Sequence, residues 1–224
     1  MIPVTQAREA AKLATLAANL LLATSNEQKG DKGSALRRAC GDMKAYAEVY
    51  IAKNVIAEKL SYCFAQARVT GATLSEFNYI RKRILAEPIV SLVAMLIKNG
   101  CISCCLQQMS MVLVGTTFTS REDVEKIRGD FNIAFDEAEE TAADEMALAV
   151  YRSLIALHAA VVFHMYETAR PLPQMLAYRF ATPRPTLVLS HRLYDSASRA
   201  DELREENKIV HPAFAPREGR ALAF

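Results

Sequence analysis

The stretch that decides the fold is LAYRFATPRPTLVLSHRLYDSASRADELREENKIVHPAFAPREGRALAF, which occupies residues 176–224. Leu176, Tyr178 and Phe180 alternate with smaller or polar residues, a pattern that predicts a short strand. Two short helices are predicted next, because leucines recur at helical spacing and turn residues separate the two segments. Alternation in residues 221–224 predicts a second strand that pairs back on the first. We therefore predict a small module of strand, helix, helix and strand (βααβ) over residues 175–224.

The preceding residues, 1–170, predict a bundle of long helices. Alanine is abundant and glycine is scarce there, and both features favour helix. The first helix is predicted over Val4–Thr24, and a second from about Ala35 to a break at Gly71. The stretch RPLPQ, residues 170–174, stops helix formation and forms a short stiff linker. The predicted fold class is thus mainly α, with a long-helix scaffold followed by the small module.

The last predicted helix of the scaffold is unusually long. Apolar residues from Val124 to Met165 form a near-heptad stripe within the segment Ser120–Ala169. If unbroken, a helix of about 50 residues would span about 75 Å, and Gly129 is the alternative site of a kink. Such a stripe is longer than a domain of this size covers by itself, so we expect neighbouring helices or another chain to cover it.

Two sets of residues carry the predictions for the module. Asn207 is placed at the end of the second short helix, because asparagine tolerates the left-handed conformation found there. The predicted core comprises Tyr178, Leu187, Leu189, Leu193, Tyr194, Leu203, Asn207 and Phe214. The two turns are the candidate protein-docking segments, and they comprise Pro183, Arg184, Pro185, Thr186, Ile209, Val210, His211 and Pro212.

The module resembles the LysM fold in the order of its elements and in a pattern of Tyr, Thr-Leu, Tyr, Glu-Leu and Asn. These residues are Tyr178, Thr186, Leu187, Tyr194, Glu202, Leu203 and Asn207. LysM modules that bind glycans usually carry Gly-Asp before Thr-Leu, whereas this chain has Pro183, Arg184 and Pro185. The altered turn counts against carbohydrate recognition.

A wider resemblance covers about residues 35–224. LVLSHRLYDSASRADELREENKIVHPAFAPREGRAL, TTFTSREDVEKIRGDFNIAFDEAEETAADE, VYRSLIALHAAV and ARPLPQMLAYRF are similar to the C-terminal part of the DNA circularisation proteins of Mu-like phages and prophages. We expect the N-terminal domain of that family to be missing from this chain. The family belongs to the tail or baseplate genes of contractile-tailed phages. The resemblance therefore implies a structural tail or baseplate component that acts through protein–protein contacts.

The resemblance also implies partners and a location. The expected partners are other tail or baseplate proteins, namely hub, tube or wedge subunits, with several copies of this chain in each particle. The expected location is the tail or baseplate of a virion that is assembled in the host cytoplasm. The two alternatives are a DNA-binding or circularisation protein, as the family name suggests, and a peptidoglycan-binding module.

The composition gives little support to nucleic-acid or membrane partners. The formal net charge is only +2, and the basic residues are dispersed. One basic cluster, Arg81 to Arg83, is short and is interpreted as a solvated face. The most apolar zone, Ile89–Gly115, is interrupted by polar residues, so we expect buried helices there and no membrane span.

No enzymatic activity, cofactor or metal site is predicted. The chain has no glycine-rich phosphate loop and no Gly-x-Ser-x-Gly elbow. His158 and His164 are six residues apart and do not share a helix face, so they predict no metal pair. The acidic run DEAEETAADE, residues 136–145, is interpreted as a solvated helix face.

The five cysteines allow two interpretations. An odd number without a signal sequence counts against a secreted disulfide framework. Cys101, Cys104 and Cys105 are interpreted as small buried apolar residues, with redox use or an inter-chain disulfide as the alternative. A zinc site would also need Cys40 and Cys63. If a disulfide forms, we expect it to involve one of the three clustered cysteines. Three thiols within five residues raise the chance that one of them faces outward.

Overall fold

The structure, a computed structural model, describes residues 3–24 and 30–223. These residues are mainly helical, with a small two-stranded antiparallel sheet. In chain order the elements are α1 (Val4–Thr24), α2 (Asp31–Ala52), α3 (Ile56–Val69), α4 (Leu74–Leu85), α5 (Leu92–Val114), α6 (Arg121–Asp144), α7 (Leu148–Ala169), β1 (Gln174–Arg179), α8 (Thr186–Tyr194), a 3-10 turn (Ala197–Arg199), α9 (Ala200–Glu206) and β2 (Glu218–Ala223). Phe224, the last residue of the predicted second strand, lies outside the described residues.

Local signals set several helix boundaries. α1 begins and ends at the predicted residues, Val4–Thr24. α4 begins after Thr73, where a capping box forms with Glu76: the Glu76 amide donates to Thr73 Oγ1 at 3.4 Å, and the Thr73 amide donates to Glu76 Oε2 at 2.7 Å. Pro88 lies between α4 and α5, as expected for a residue without an amide hydrogen.

Two helices that were predicted to be continuous are broken. The predicted second helix divides at Asn54 (φ 55°) into α2 and α3. The predicted long helix divides at Met146 (φ 54°) into α6 and α7, so the prediction of a single 50-residue helix was wrong. The chain reverses at this break, because His158 of α7 lies 2.9 Å from Glu139 of α6. Neither break contains glycine or proline. Asparagine tolerates the left-handed conformation, so Asn54 is a local signal for the first break, whereas Met146 is none for the second.

The chain forms two compact units. Unit one comprises Met1–Thr116 and Phe131–Val161, and unit two comprises Thr117–Asp130 and Val162–Phe224. The boundaries between the two units lie within α6 and α7. The domain boundary that the sequence predicts after residue 170 stays a prediction. Within unit two, Arg121 Nε donates to the Leu172 carbonyl at 2.8 Å. This bond attaches the start of α6 to the segment before β1.

Unit one is built around α1, which packs against α2, α3, α4 and α5. Ala10, Ala14 and Ala17 are completely buried, and such small side chains let neighbouring helices approach closely. Larger side chains fill the rest of this core, and those that are fully buried include Leu21, Leu36, Met43, Phe64, Phe77, Ile80, Ile84, Leu106, Leu113, Phe131 and Phe135.

Unit one also contains a buried cation, Arg81, whose side chain is only 3% exposed. Its Nη1 lies 2.6 Å from Glu137 Oε2, and its Nε donates to Asn78 Oδ1 at 3.2 Å. The interpretation of residues 81–83 as a solvated face was therefore wrong at Arg81. Lys82 and Arg83 are exposed, as that interpretation expects.

Unit two contains the small sheet. β1 and β2 pair antiparallel, with Gln174 opposite Ala223 and Tyr178 opposite Gly219. α8 packs against α9, and α9 packs against β2. The core of this part comprises Tyr178, Leu189, Leu203, Ile209, Ala215 and Ala221, with Phe180, Leu193 and Tyr194 partly buried against it.

Three of the predicted core assignments need correction. Leu187 is 60% exposed, because it lies two residues before the buried Leu189 and therefore on the opposite side of α8. Phe214 is 73% exposed in a turn. Asn207 is only half-buried and has φ −96°, and Lys208 adopts the left-handed conformation instead.

Two helices, α5 and α7, reach the length and apolar composition of a membrane span. In the most apolar window of each, 44% of α5 and 17% of α7 is buried within the protein. The sequence-based expectation that polar residues prevent any such segment was wrong for α5. Core helices of soluble proteins meet the same criteria, so the absence of a membrane partner stays a prediction.

Candidate docking surface

The structure brings the two predicted docking turns together in unit two. The Thr186 amide donates to the Pro212 carbonyl at 2.7 Å, and the Ala215 amide donates to the Arg184 carbonyl at 3.0 Å. Arg184 and Ala215 also form an isolated antiparallel bridge. Two segments separated by more than 20 residues thus form one continuous edge, although no local sequence pattern links them.

Apolar side chains project from this edge into solvent. Val210 is 97% exposed, and Phe214 is 73% exposed. The Phe214 ring contacts the His211 ring, with 5.4 Å between the ring centroids. We use the name terminal patch for five exposed side chains, those of Leu, Val, His and Phe residues, that lie within two residues of the Thr186–Pro212 hydrogen bond. They are Leu187, Val188, Val210, His211 and Phe214.

Not every residue of the predicted turns faces outward. Thr186 is 3% exposed and Ile209 is 8% exposed, so these two side chains are buried, and the docking role of their turns stays a prediction. Ile209 instead joins the core beneath the second turn. The prolines at 183, 185 and 212 and the residues Val210 and His211 are exposed, and Arg184 is half-buried. Sequence reasoning missed Phe214 as a surface residue, because an aromatic side chain in a small module usually predicts core.

Polar contacts around Arg199 connect other elements of the module. The Arg199 guanidinium lies 3.8 Å from the centre of the Tyr194 ring. Its Nη2 donates to Glu202 Oε1 at 2.6 Å and to the Leu222 carbonyl at 3.0 Å. Burial raises the pKa of the Tyr194 hydroxyl. These contacts join the second helix of the module to β2.

The clustered cysteines of α5 lie in unit one and are free thiols. Cys101 and Cys105 are completely buried, and Cys104 is partly exposed. Burial raises the pKa of all three thiols, that of Cys104 to about 11. In the core, Cys40 and Cys63 hydrogen-bond to each other, which together with burial raises the pKa of Cys40. An inter-chain disulfide stays a prediction. Cys104 is the member of this cluster whose side chain is partly exposed and could react with another thiol.

A polar cluster between α6 and α7 was missed by the sequence reasoning. His158 Nδ1 lies 2.9 Å from Glu139 Oε1, and His158 Nε2 lies 3.0 Å from Asn132 Oδ1. The His158 ring stacks on Phe135, with 4.8 Å between centroids and 6° between the ring planes. Asp136 is also close, since one ligand atom each from Asp136, Glu139 and His158 lie within 4.8 Å of one another. The spacing of residues 132, 136 and 139 on one helix face was the available signal.

No protein-family model matches the chain, and no curated protein matches it at a significant level.

Proposed function

We propose that the chain is a structural component of a contractile phage tail or baseplate and that it docks through the terminal patch. The assignment to a phage tail or baseplate rests on the sequence resemblance over residues 35–224. The observation that carries the docking role is the exposed pair Val210 and Phe214 on an edge where both predicted turns meet. An exposed aromatic ring beside aliphatic side chains is the usual anchor of a protein–protein contact.

We further propose that the end of the chain is a LysM-like module used for docking. The order β1, α8, α9 and β2 and the antiparallel pairing of the strands support this assignment. The turn at residues 183–186 carries Pro-Arg-Pro in place of the Gly-Asp of glycan-binding modules. The proposed ligand is therefore a protein surface, from a hub, tube or wedge subunit, rather than a glycan.

Exposed apolar residues of α7 support assembly with several neighbours. Leu148 and Ile155 are 57% and 40% exposed in unit one, and Phe163 and Tyr166 are 65% and 60% exposed in unit two. A helix with so much uncovered apolar surface is expected to contact other chains in the particle. The proposal therefore includes more than one contact for each copy of the chain.

Particle incorporation tests the docking role directly. The double variant Val210→Asp/Phe214→Asp changes two exposed side chains and should leave folding nearly intact, within about 0.5 kcal/mol. It should no longer co-sediment with tail particles from producing cells, because two charges cannot be buried in an apolar contact. The matched control is Val4→Asp/Met111→Asp, which changes residues that are 69% and 54% exposed on unit one. Equal incorporation of both variants would refute docking through the terminal patch, and a wild-type chain found in no tail particle would refute the tail assignment.

The DNA-binding alternative is tested by titration with duplex DNA at two salt concentrations. Several cations of unit two lie next to carboxylates: Arg179 next to Glu218 at 2.7 Å, and Arg199 next to Glu202 at 2.6 Å. Such pairing lowers the number of cations available for phosphates, so we expect weak binding. A sub-micromolar affinity with a steep salt dependence would favour the alternative. Co-sedimentation with purified peptidoglycan would favour the glycan-binding alternative in the same way.

A further inference from the structure

We propose that Asp136, Glu139 and His158 bind a divalent transition-metal ion, with Zn²⁺ as the probe, between α6 and α7. One carboxylate oxygen from each acid and one imidazole nitrogen already lie within 4.8 Å of one another. Zinc binds histidine nitrogen at about 2.0–2.1 Å and carboxylate oxygen at about 2.0–2.2 Å. Small side-chain rotations would therefore place all three donors around a single ion. This inference is independent of the proposed tail function.

The imidazole of His158 is held in an orientation that suits a ligand. Its ring stacks on Phe135, and Nε2 lies 3.0 Å from Asn132 Oδ1. A metal-binding histidine usually donates its other ring N–H to an oxygen acceptor, which sets the tautomer and fixes the ring. With the proton on Nε2, the lone pair of Nδ1 points toward Glu139, 2.9 Å away.

A metal ion or a proton on Nδ1 would make both contacts of the ring favourable. A neutral imidazole has one N–H, and here both ring nitrogens lie next to oxygen atoms. If Nε2 donates to Asn132, an uncharged Nδ1 would face a carboxylate lone pair to lone pair. A metal ion bound by Nδ1, Glu139 and Asp136 removes that repulsion and is neutralised by the two carboxylates.

The burial of the donors determines the type of site. The side chains of His158 and Glu139 are 18% and 17% exposed, whereas Asp136 is exposed. Two donors are thus shielded by protein, and the third faces solvent, which leaves room for water as a fourth ligand. The ion would join the two helices that reverse direction at Met146, and its binding should stabilise this hairpin.

Zinc binding to the full-length chain tests the proposal. We expect one equivalent of Zn²⁺ to be taken from a chromophoric chelator with a Kd of about 10 µM or lower, weaker than structural sites with four protein ligands. Saturating Zn²⁺ should raise the Tm by about 5 °C or more, because the ion binds the folded state. A Kd above about 1 mM, or an unchanged Tm, would overturn the proposal.

Variants assign the site. His158→Phe keeps the stacking on Phe135 and removes the ligand, and Glu139→Gln keeps the shape and removes the charge. Both should abolish the Tm shift, and Asn132→Ala should weaken binding about 10- to 100-fold. His164→Asn, on the same helix, is the matched control and should bind like the wild type. Unchanged binding by His158→Phe would overturn the proposal.

Cobalt distinguishes this site from the thiols of unit one. Co²⁺ bound by nitrogen and oxygen donors should show only weak visible bands. An intense thiolate charge-transfer band in the near ultraviolet would place the ion on cysteine and overturn the assignment. If the pair of His158 and Glu139 holds only a proton, neither the zinc nor the cobalt experiment will show saturable binding, and the proposal fails.

Discussion

Asn207 hydrogen-bonds to both backbone groups of Arg220. Its Oδ1 accepts from the Arg220 amide at 2.7 Å, and its Nδ2 donates to the Arg220 carbonyl at 2.8 Å. Nδ2 also donates to the Leu203 carbonyl at 2.9 Å, so a single side chain joins the end of α9 to β2. The Asn207 side-chain amide thus pairs with β2 as the backbone of a neighbouring strand would. It satisfies backbone groups of Arg220 that the two-stranded sheet leaves unpaired.

Replacing Asn207 with alanine should loosen unit two. The change removes three hydrogen bonds and leaves the Arg220 amide and carbonyl without their side-chain partner, so the free energy of unfolding should fall by about 1–2 kcal/mol. Amide hydrogen exchange should show the effect locally, as faster exchange at Arg220. Glu205→Ala, on the exposed side of α9, is the control. If Arg220 exchanges at the wild-type rate in Asn207→Ala, the amide does not hold the strand.

Replacing Gly219 with alanine should also destabilise unit two. A Cβ at this position would lie 2.4 Å from Asn207 Oδ1 and 2.5 Å from the Tyr178 hydroxyl oxygen. These atoms must move, and overpacking of this kind costs about 1–3 kcal/mol. Urea unfolding followed by near-ultraviolet circular dichroism measures the loss. Because Asn207 supplies the closest atom, the cost should be smaller in an Asn207→Ala background, and strictly additive effects would contradict the contact.

Removing the carboxylate of Glu137 should destabilise unit one through Arg81. Glu137→Ala leaves a nearly buried guanidinium with Asn78 as its remaining neutral acceptor, and we expect a loss of about 1–3 kcal/mol. The lower part of this range applies because Glu137 is 47% exposed and water screens the pair. The double variant Arg81→Met/Glu137→Ala should recover most of the loss, since an apolar side chain needs no partner. A double variant less stable than Glu137→Ala would contradict this explanation.

Cys104 should react slowly and with a shifted pH dependence. Burial raises the pKa of its thiol from the ordinary 9.0 to about 11, so less reactive thiolate is present at any pH below 11. At pH 8, alkylation by iodoacetamide should be about tenfold slower than in the unfolded chain, after allowing for the greater nucleophilicity of a basic thiolate. The rate should keep rising above pH 9, where an ordinary thiol levels off. Peptide mass spectrometry measures it, with the completely buried Cys101 as an unreactive reference. A plateau near pH 9 would contradict the raised pKa.

Local chemistry made part of the fold predictable. The bounds of α1 follow from an uninterrupted run of helix formers, and the start of α4 follows from the Thr73–Glu76 capping box. The strand at Gln174–Arg179 follows from alternation after two prolines. Each of these features depends on residues within about one turn of one another, so the sequence alone contains the relevant interactions.

Long-range contacts decided the rest. Met146 adopts a left-handed backbone at the end of α6, where the Ala147 amide donates to the Ala142 carbonyl at 2.9 Å, and His158 of α7 then contacts Glu139 of α6. The same reversal brings His158 next to Glu139, which is why the histidine and the acidic run looked unrelated along the chain. In the module, Ile209 is buried and Phe214 is exposed, although both are apolar residues of one turn. Burial at a turn depends on which side faces the packed helices and strands.

The sequence by itself determined the mainly helical class, the proline-rich junction and the order of the small C-terminal elements, because helix propensity, alternation and proline act over a few residues. Only the tertiary structure decided where the long helices reverse, which apolar residues of the terminal turns face solvent, and that Asn207 pairs with Arg220. The physical reason is the same in each case. The direction of the chain after a helix end, the burial of apolar side chains in turns and side-chain-to-strand hydrogen bonds all depend on segments that are far apart in the sequence.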